Sequence, residues 1–261
     1  MNCISTKNLN ISYGNLDIVK DLNLEIPKGK ITTIIGSNGC GKSTILKTIA
    51  RIIKPKSGDI YVNDKNIKEQ NPRDLAKMMA VLPQSPQAPN GLTVEELIAY
   101  GRFPHQKGFG KLKREDKDIV TWALKSTGIE EFRERSIQDL SGGQRQRAWI
   151  AMALAQQTDI LILDEPTTYL DLAHQLEVLK LLEELNKKQG TTIVMVIHEL
   201  NNAARFADHM IGVKKGEVVC QGSAYEVMTK ENLKELFNID AEIVNDPRTQ
   251  KPVCITYDMV I

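Results

Sequence analysis

The sequence predicts an α/β protein with a parallel sheet, an N-terminal antiparallel β subdomain and an inserted helical subdomain. Three observations indicate this class. A glycine-rich stretch, residues 36–44, lies between an apolar run at 31–35 and a helical pattern at 45–50. Residues 160–163 form an all-apolar run ending at Asp164, which is typical of a buried parallel strand. Between residues 91 and 155 the pattern is mostly helical.

Composition and charge limit the possible functions. The 261 residues include 34 Lys and Arg against 33 Asp and Glu, a formal net charge of +1. This balance gives no electrostatic case for nucleic acid. No apolar run approaches the roughly 20 residues of a membrane helix, and residues 1–7 lack a signal-peptide core. We therefore expect a cytosolic protein whose membrane association depends on a partner.

The glycine-rich stretch follows the phosphate-binding pattern G-x-x-x-x-G-K-S/T in a strand–loop–helix context. Glycines let the backbone turn its N–H groups towards phosphate oxygens, and the following helix adds its positive dipole end. Lys42 would reach the β- and γ-phosphates, and the Ser43 hydroxyl would bind Mg²⁺. The alternative is a glycine-rich turn without a ligand. The candidate nucleotide-binding residues are Gly36, Ser37, Asn38, Gly39, Cys40, Gly41, Lys42, Ser43 and Thr44.

The N-terminal part reads as strands over residues 3–35, with turns at 14–15 and 27–30. Tyr13 precedes the phosphate loop and either stacks on an adenine ring or packs at a strand end. Further strands are predicted at 59–62 and 80–82. Between them, Asn71 caps a short helix that has Pro72 at its first position.

The helical segment begins after a proline-rich loop at 85–92. Thr93 and Glu96 form a capping box. A basic, glycine-containing loop covers 104–114, and Gly128 ends the next helix. The predicted organisation is an α/β core at 1–90 and 156–238, a helical subdomain at 91–155 and a tail at 239–261.

After the strand at 160–163 we expect a long amphipathic helix, a second buried strand at 191–197 and small helices capped by Ser223 and Thr229. The tail shows only a turn at 246–247. The long helix ends at Gly190, and its apolar stripe is predicted to be core: Leu172, Leu176, Leu179, Leu182 and Leu185.

Polar residues follow several predicted strands, and ligands bind outside the carboxyl ends of parallel strands. Asp164 is the expected Mg²⁺ ligand, and Glu165 is placed to polarise a water for attack on the γ-phosphate. His198 either senses the γ-phosphate or is structural. Gln84 is a candidate for contact with the metal or the water.

Residues 140–144 form a second helix start of the anion-binding kind. Two such elements for one nucleotide suggest a dimer with two composite sites, and the alternative is a simple helix cap. Cys40, inside the phosphate loop, is either an acidified thiol or a small residue that fits. The residues of this second element are Leu140, Ser141, Gly142, Gly143 and Gln144.

The combination of residues 140–144 with the Leu163-Asp164-Glu165-Pro166 strand end resembles the ATP-binding cassette (ABC) family over nearly the whole chain. The family motifs appear in order: the Walker A loop at 36–44, the Q-loop Gln84, the signature at 140–144 and the Walker B strand at 160–164. The resemblance implies that Tyr13 stacks on adenine, Gln84 contacts the metal, Glu165 is catalytic and His198 is the switch histidine. It further implies a head-to-tail dimer enclosing two Mg-ATP molecules, with a D-loop at Leu170 and Asp171.

Finer matches at 101–105, 141–157 and 164–176 resemble the ATPases of bacterial iron-siderophore importers, most of all ferric-hydroxamate systems. Cobalamin and haem importers remain the alternative. Less favoured are a soluble iron–sulfur assembly ATPase and cassettes that act on ribosomes or DNA. The resemblance implies docking on a membrane permease near 85–105, at the cytoplasmic face of the membrane. A substrate-binding protein would deliver the ligand from outside.

Overall fold

The computed structural model describes residues 1–106 and 112–260. The basic loop expected at 104–114 therefore falls partly on residues 107–111, outside the described residues. No helix in the described ranges combines the length and the apolar character needed to cross a bilayer.

The strands are numbered in chain order. They are β1 Asn2–Tyr13, β2 Leu16–Leu22, β3 Glu25–Pro27, β4 Ile31–Ile35, β5 Ser57–Val62, β6 Lys65–Asn66, β7 Met79–Leu82, β8 Ile160–Asp164, β9 Thr192–Val196, β10 His209–Lys214, β11 Glu217–Gly222, β12 Ile239–Asn245 and β13 Pro252–Met259.

The α-helices are numbered in the same way. They are α1 Lys42–Ile49, α2 Pro72–Met78, α3 Val94–Tyr100, α4 Arg114–Ser126, α5 Gly142–Ala155, α6 Leu172–Gln189, α7 Leu200–Phe206, α8 Ala224–Val227 and α9 Lys230–Phe237.

The chain divides into two compact units. The first comprises Met1–Gln70 together with Asn186–Ile261, and the second comprises Asn71–Leu185. The first contains an antiparallel sheet ordered β2-β1-β5-β6, with β3 also paired to β1. The predicted N-terminal antiparallel β subdomain is therefore confirmed.

The first unit also contains a set of mostly parallel strands. Strand β4 lies between β10 and β9 and runs parallel to both, while β11 pairs antiparallel with β10. Every residue of β4 and β9 is buried. Burial on both faces explains why these segments are apolar without alternation.

The second unit pairs β7 with β8 in parallel and contains the helices of the insertion. The capping box at Thr93 and Glu96 is formed, and Asn71 caps α2 by accepting the Arg73 N–H. The predicted α/β class and the helical character of the insertion are confirmed.

One expectation fails, and it concerns α6. The leucine pattern predicts that Leu172 is buried, but it is 82% exposed, because it stands in the first turn of the helix. Leu176, also predicted to be core, is only partly buried. The buried positions follow the 3.6-residue period: Gln175, Val178, Leu179, Leu182 and Leu185.

The tail after residue 238 forms the expected turn at 246–247, but the predicted elements do not include its strands. It is a regular hairpin of β12 and β13. Asn201 on α7 fastens it to the rest of the first unit. The Asn201 amide accepts a hydrogen bond from the Cys254 N–H at 2.8 Å and donates one to the Cys254 carbonyl at 3.0 Å.

Candidate functional site

The loop between β4 and α1 is shaped by its glycines and by Lys42. Gly39 and Gly41 have φ values of 77° and 103°, which favour glycine. Lys42 is only 5% exposed, and its ammonium donates hydrogen bonds to the carbonyls of Gly36 at 2.8 Å and Ser37 at 3.0 Å. The loop thus closes around the lysine, while Ser37 and its neighbours Asn38 and Gly39 are exposed.

This loop is contacted by Val213 and Gly216, which are distant in sequence but lie in the same unit. We call these two contacts the brace. A β-carbon on Gly36 would lie 2.1 Å from the Val213 carbonyl oxygen and 2.8 Å from the Cys40 sulfur. The Gly216 N–H donates to the Cys40 carbonyl at 2.9 Å. Cys40 itself is 5% exposed, which supports its interpretation as a small residue that fits.

Tyr13 lies at the end of β1, opposite Leu16 across the hairpin turn. Both side chains are more than half exposed. Strand β2 then continues to Ile18, whose side chain would lie 3.4 Å from a β-carbon on Gly41. The Tyr13 hairpin therefore lies close to the phosphate loop, within the first unit.

His198 follows β9, the parallel neighbour of β4. The register pairs Ile34 with Val196, and the Ile197 N–H donates to the Ile34 carbonyl at 3.4 Å. The ends of these strands are therefore adjacent, with the phosphate loop leaving one and the exposed His198 leaving the other. The geometry brings His198 to the same sheet edge as Gly36.

The second unit holds the carboxylates. Asp164, the last residue of β8, is 4% exposed, and Glu165 follows it. The register pairs Leu82 with Leu163, so Gln84 and Glu165 each stand two residues beyond a paired position. The Gln84 amide accordingly donates to Glu165 Oε2 at 2.5 Å.

Glu165 is held in an unusual backbone conformation, with φ at 56°. Non-glycine residues rarely adopt this region, and such strain concentrates at functional sites. The Thr168 hydroxyl also donates to Glu165 Oε2, at 3.0 Å. Two donors and a constrained backbone thus fix the direction of this carboxylate.

Ser141 begins α5 with a reciprocal capping box. The Gln144 N–H donates to the Ser141 hydroxyl at 3.3 Å, and the Ser141 N–H donates to the Gln144 side chain at 3.0 Å. Leu140 is buried, whereas Ser141 and Gly142 are exposed. The structure therefore shows a helix cap at Ser141 with an exposed helix start.

The turn before α6 presents apolar side chains on either side of a carboxylate. Tyr169 is 90% exposed and has φ at 64°, and Leu172 is 82% exposed. Leu170 and Asp171 lie between them. Such neighbouring exposed apolar residues mark candidate contact surfaces.

Arg102 is a buried residue that organises the segment 101–105. Its guanidinium donates to Asp116 at 2.9 Å and to the Ala155 carbonyl at 2.7 Å. Burial raises the pKa of Asp116, but the Arg102 hydrogen bond and charge and the Lys113 N–H together hold this pKa below its usual range. Tyr100 and Phe103, on either side, stay more than half exposed.

Sequence reasoning missed several residues that support these positions. Thr168 gave no signal of its own, although a threonine three residues after a carboxylate can bond back to it. His174 shows no partner pattern in the sequence, yet its ring contacts Asp171. The brace at Val213 and Gly216 had a local signal that was not used, a Lys-Gly turn between two apolar runs.

The chemistry of the candidate residues fits a nucleoside triphosphate and Mg²⁺. The loop at 36–44 offers backbone N–H groups and the ammonium of Lys42. These are the hydrogen-bond donors that a phosphate requires. The hydroxyl of Ser43, the amide of Gln84 and the carboxylate of Asp164 are hard oxygen ligands of the kind Mg²⁺ prefers.

Comparison with known proteins identifies the family. The family model described as "ABC transporter" matches residues 19–168. The chain belongs to the ABC transporter family. The matched range includes the phosphate loop, the signature and the Walker B strand.

Relatives of this ABC protein are similar over almost the full chain. It is 64% identical over 260 residues to the iron(3+)-hydroxamate import ATP-binding protein of Bacillus subtilis (strain 168), covering 100% of this chain and 97% of the relative. It is 50% identical to a petrobactin import ATP-binding protein of Bacillus anthracis, covering 97% and 93%. It is 42% identical to the ferric enterobactin transport ATP-binding protein of Escherichia coli (strain K12), covering 95% and 91%.

Solved structures agree with the ABC fold. An ABC transporter in an inward-facing conformation matches with a TM-score of 0.84 and 30% identity, covering 97% of this chain and 96% of that one. A dimeric ATP-binding cassette in a post-hydrolysis state, bound to ADP and Pi, matches with a TM-score of 0.74 and 31% identity, covering 84% and 98%.

Proposed function

We propose that this ABC protein hydrolyses ATP to drive the uptake of iron-siderophore complexes through a membrane permease. The observation that carries the hydrolytic part is the Glu165 carboxylate, fixed by Gln84 and Thr168 directly after the buried Asp164. A general base must be aimed before it can act on a water. The substrate class is supported by the names of the relatives.

Nucleotide binding is assigned to the first unit. Tyr13 stacks on the adenine, and the backbone N–H groups of residues 36–44 hold the phosphates. Lys42 already lies inside the loop with two carbonyls as acceptors. An arriving phosphate would exchange these neutral acceptors for charged oxygens, which make stronger hydrogen bonds.

Hydrolysis is assigned to Glu165, which takes a proton from the attacking water, and to His198, which contacts the γ-phosphate. The residues that would hold Mg²⁺ are Ser43, Gln84 and Asp164. When bound, Mg²⁺ supplies positive charge that stabilises the phosphate oxygens during transfer. Ser141 of the partner protomer would add a donor from the opposite side.

Two copies are proposed to pair head to tail, so that the signature residues 140–144 of one face the nucleotide of the other. The exposed start of α5 and the exposed Tyr169 and Leu172 support a partner on these surfaces. The dimeric state of the similar cassettes supports the same arrangement.

The permease is proposed to dock near residues 85–105 and on the helical segment. Tyr100 and Phe103 offer exposed apolar side chains there, beside the buried Arg102 and its ion pair with Asp116. This docking would keep the protein at the cytoplasmic face of the membrane. A substrate-binding protein on the other side would bring the ligand, and cobalamin or haem is the less favoured cargo.

The hydrolytic assignment is tested with Glu165→Gln, which keeps the hydrogen-bonding shape and removes the base. We expect ATP binding close to wild type and a loss of turnover of about 10²-fold or more, the scale of a lost general base. Glu131→Gln, at an exposed glutamate, is the matched control. Wild-type turnover in Glu165→Gln would refute the assignment.

The substrate is tested in proteoliposomes containing the permease, the binding protein and this subunit. Ferric hydroxamate, cobalamin and haem are offered singly, with ATP inside. We expect ATP-dependent uptake of the ferric hydroxamate. Uptake of only cobalamin or haem would overturn the siderophore assignment while leaving the ATPase assignment intact.

A further inference from the structure

His174 stands between the Asp171 turn and the start of α5. Its own N–H donates to Asp171 Oδ1 at 2.9 Å, and its ring Nδ1 lies 2.8 Å from the same oxygen. One carboxylate oxygen therefore fixes both the backbone and the ring of His174. These contacts also hold the pKa of Asp171 below its ordinary value.

The opposite side of the ring lies against Gly143. A β-carbon at Gly143 would stand 2.8 Å from His174 Cδ2, closer than real β-carbons approach, and 3.1 Å from Cγ, which is a tight contact. Gly143 is helical and buried, so its backbone does not require glycine for conformational reasons. The imidazole of His174 occupies the space that a β-carbon at Gly143 would need.

A second contact follows further along the same two helices. Arg147, one turn after Gly143, forms an ion pair with Glu177, which lies three residues after His174. Arg147 also donates to the Thr127 carbonyl at 3.2 Å. Helices α5 and α6 thus meet along successive turns, and His174 is the contact that includes the Asp171 turn.

We propose that His174 is a positioning residue that holds Asp171 and the signature start at Gly143 as one block. The inference rests on the proposed dimer, in which both elements meet the partner's nucleotide. The imidazole then sets the distance between Asp171 and Gly143, so that both contact the partner in the correct relative position. Without it, each element would have to be ordered separately when the dimer closes.

The test uses the complete subunit in a Glu165→Gln background, where ATP should accumulate the closed dimer. We compare His174→Ala with Lys180→Ala, an exposed position on the same helix. Light scattering reports ATP-dependent dimerisation, and a fluorescent ATP analogue reports nucleotide affinity of the monomer. We expect His174→Ala to weaken dimerisation at least tenfold with unchanged monomer affinity and unchanged melting temperature.

In the catalytically competent protein, His174→Ala should lower kcat with little change in KM. A misplacement on the order of 1 Å at a reacting centre costs roughly 10²-fold, so a loss of about tenfold or more is expected. Two matched variants separate the contacts. His174→Asn can still donate to Asp171 but lacks the ring, and His174→Phe keeps the ring but cannot donate, so each should recover part of the loss.

Gly143→Ala supplies an independent check. If the ring occupies the space, Gly143→Ala should harm dimerisation less in the His174→Ala background than in the wild type. Equal effects in both backgrounds would overturn the proposal, as would unchanged dimerisation and kcat in His174→Ala. Failure of the Glu165→Gln parent itself to dimerise with ATP would instead refute the proposed head-to-tail dimer.

Discussion

Gln84 and Glu165 are joined by a 2.5 Å hydrogen bond between the amide of one and the carboxylate of the other. They are 81 residues apart in sequence. The pairing of Leu82 with Leu163 in neighbouring parallel strands brings them together. The residue that precedes the proposed permease-docking segment is therefore in direct contact with the proposed catalytic base.

Replacement of Gln84 by alanine should release one of the two donors on Glu165. We expect kcat to fall about tenfold, because loss of aim at a reacting centre costs on the order of 10–10²-fold. Steady-state ATP hydrolysis measures the change. Gln87→Ala, at a glutamine three residues further on, is the control, and equal rates in both variants would contradict the role of the contact.

Gly36→Ala should abolish ATP binding. The new β-carbon would lie 2.1 Å from the Val213 carbonyl, at a φ of 151° that side chains avoid. Gly39→Ala is the matched control, because its φ of 77° is strained but open space surrounds it. It should cost only roughly 1–2 kcal/mol of backbone strain. Titration with a fluorescent ATP analogue distinguishes the two, and similar affinities would contradict the proposed brace.

Arg102→Met should destabilise the second unit by about 3–5 kcal/mol. This is the usual cost of removing one partner of a buried ion pair and leaving the other charge unpaired. The two side chains are only 6% and 10% exposed. Thermal or urea unfolding measures the loss. Adding Asp116→Asn removes the uncompensated charge and should restore part of the stability, whereas Arg114→Met, at an exposed site, should change little.

The stability of the protein should decline as pH falls below about 6.5, the ordinary histidine pKa, partly because of His209. Burial lowers the pKa of His209, more than the opposing attraction of Glu226 and Glu25 raises it. Within the described residues, its buried Nε2 makes no hydrogen bond. The unfolded chain therefore binds a proton at a pH where the folded chain does not, and protonation favours unfolding.

His209→Gln removes this proton uptake. Between about pH 5 and about pH 6.5, the ordinary histidine pKa, the free energy of unfolding of the variant should vary less than that of the wild type. Urea unfolding at several pH values measures the slope. The same slope in both proteins would show that His209 does not contribute.

Elements marked by local patterns were predicted well. The phosphate loop combines a glycine pattern with an apolar run, and β8 is an apolar segment ending at Asp164. Both patterns are formed by residues that are adjacent in the sequence. The capping boxes at Thr93 and Ser223 were equally local. Such features need no knowledge of distant contacts.

Distant contacts explain what was missed. The roles of Thr168 and His174 depend on residues that the fold places beside them, the Glu165 carboxylate and Gly143. The sequence does not reveal these neighbours. Leu172 carried the apolar pattern of α6 yet stands before its packed turns. The tail hairpin did have a local signal, because Ile239, Ala241 and Ile243 alternate with polar residues.

The brace at Val213 and Gly216 affects how related cassettes can be recombined. A chimera that joins the N-terminal half of this chain to the C-terminal half of a relative keeps the nucleotide loop but replaces the carbonyl against Gly36 and the N–H that binds the Cys40 carbonyl. Crossovers between these segments will remain functional only when the donor supplies a turn of the same shape and length. Inheritance of the motif alone is not enough.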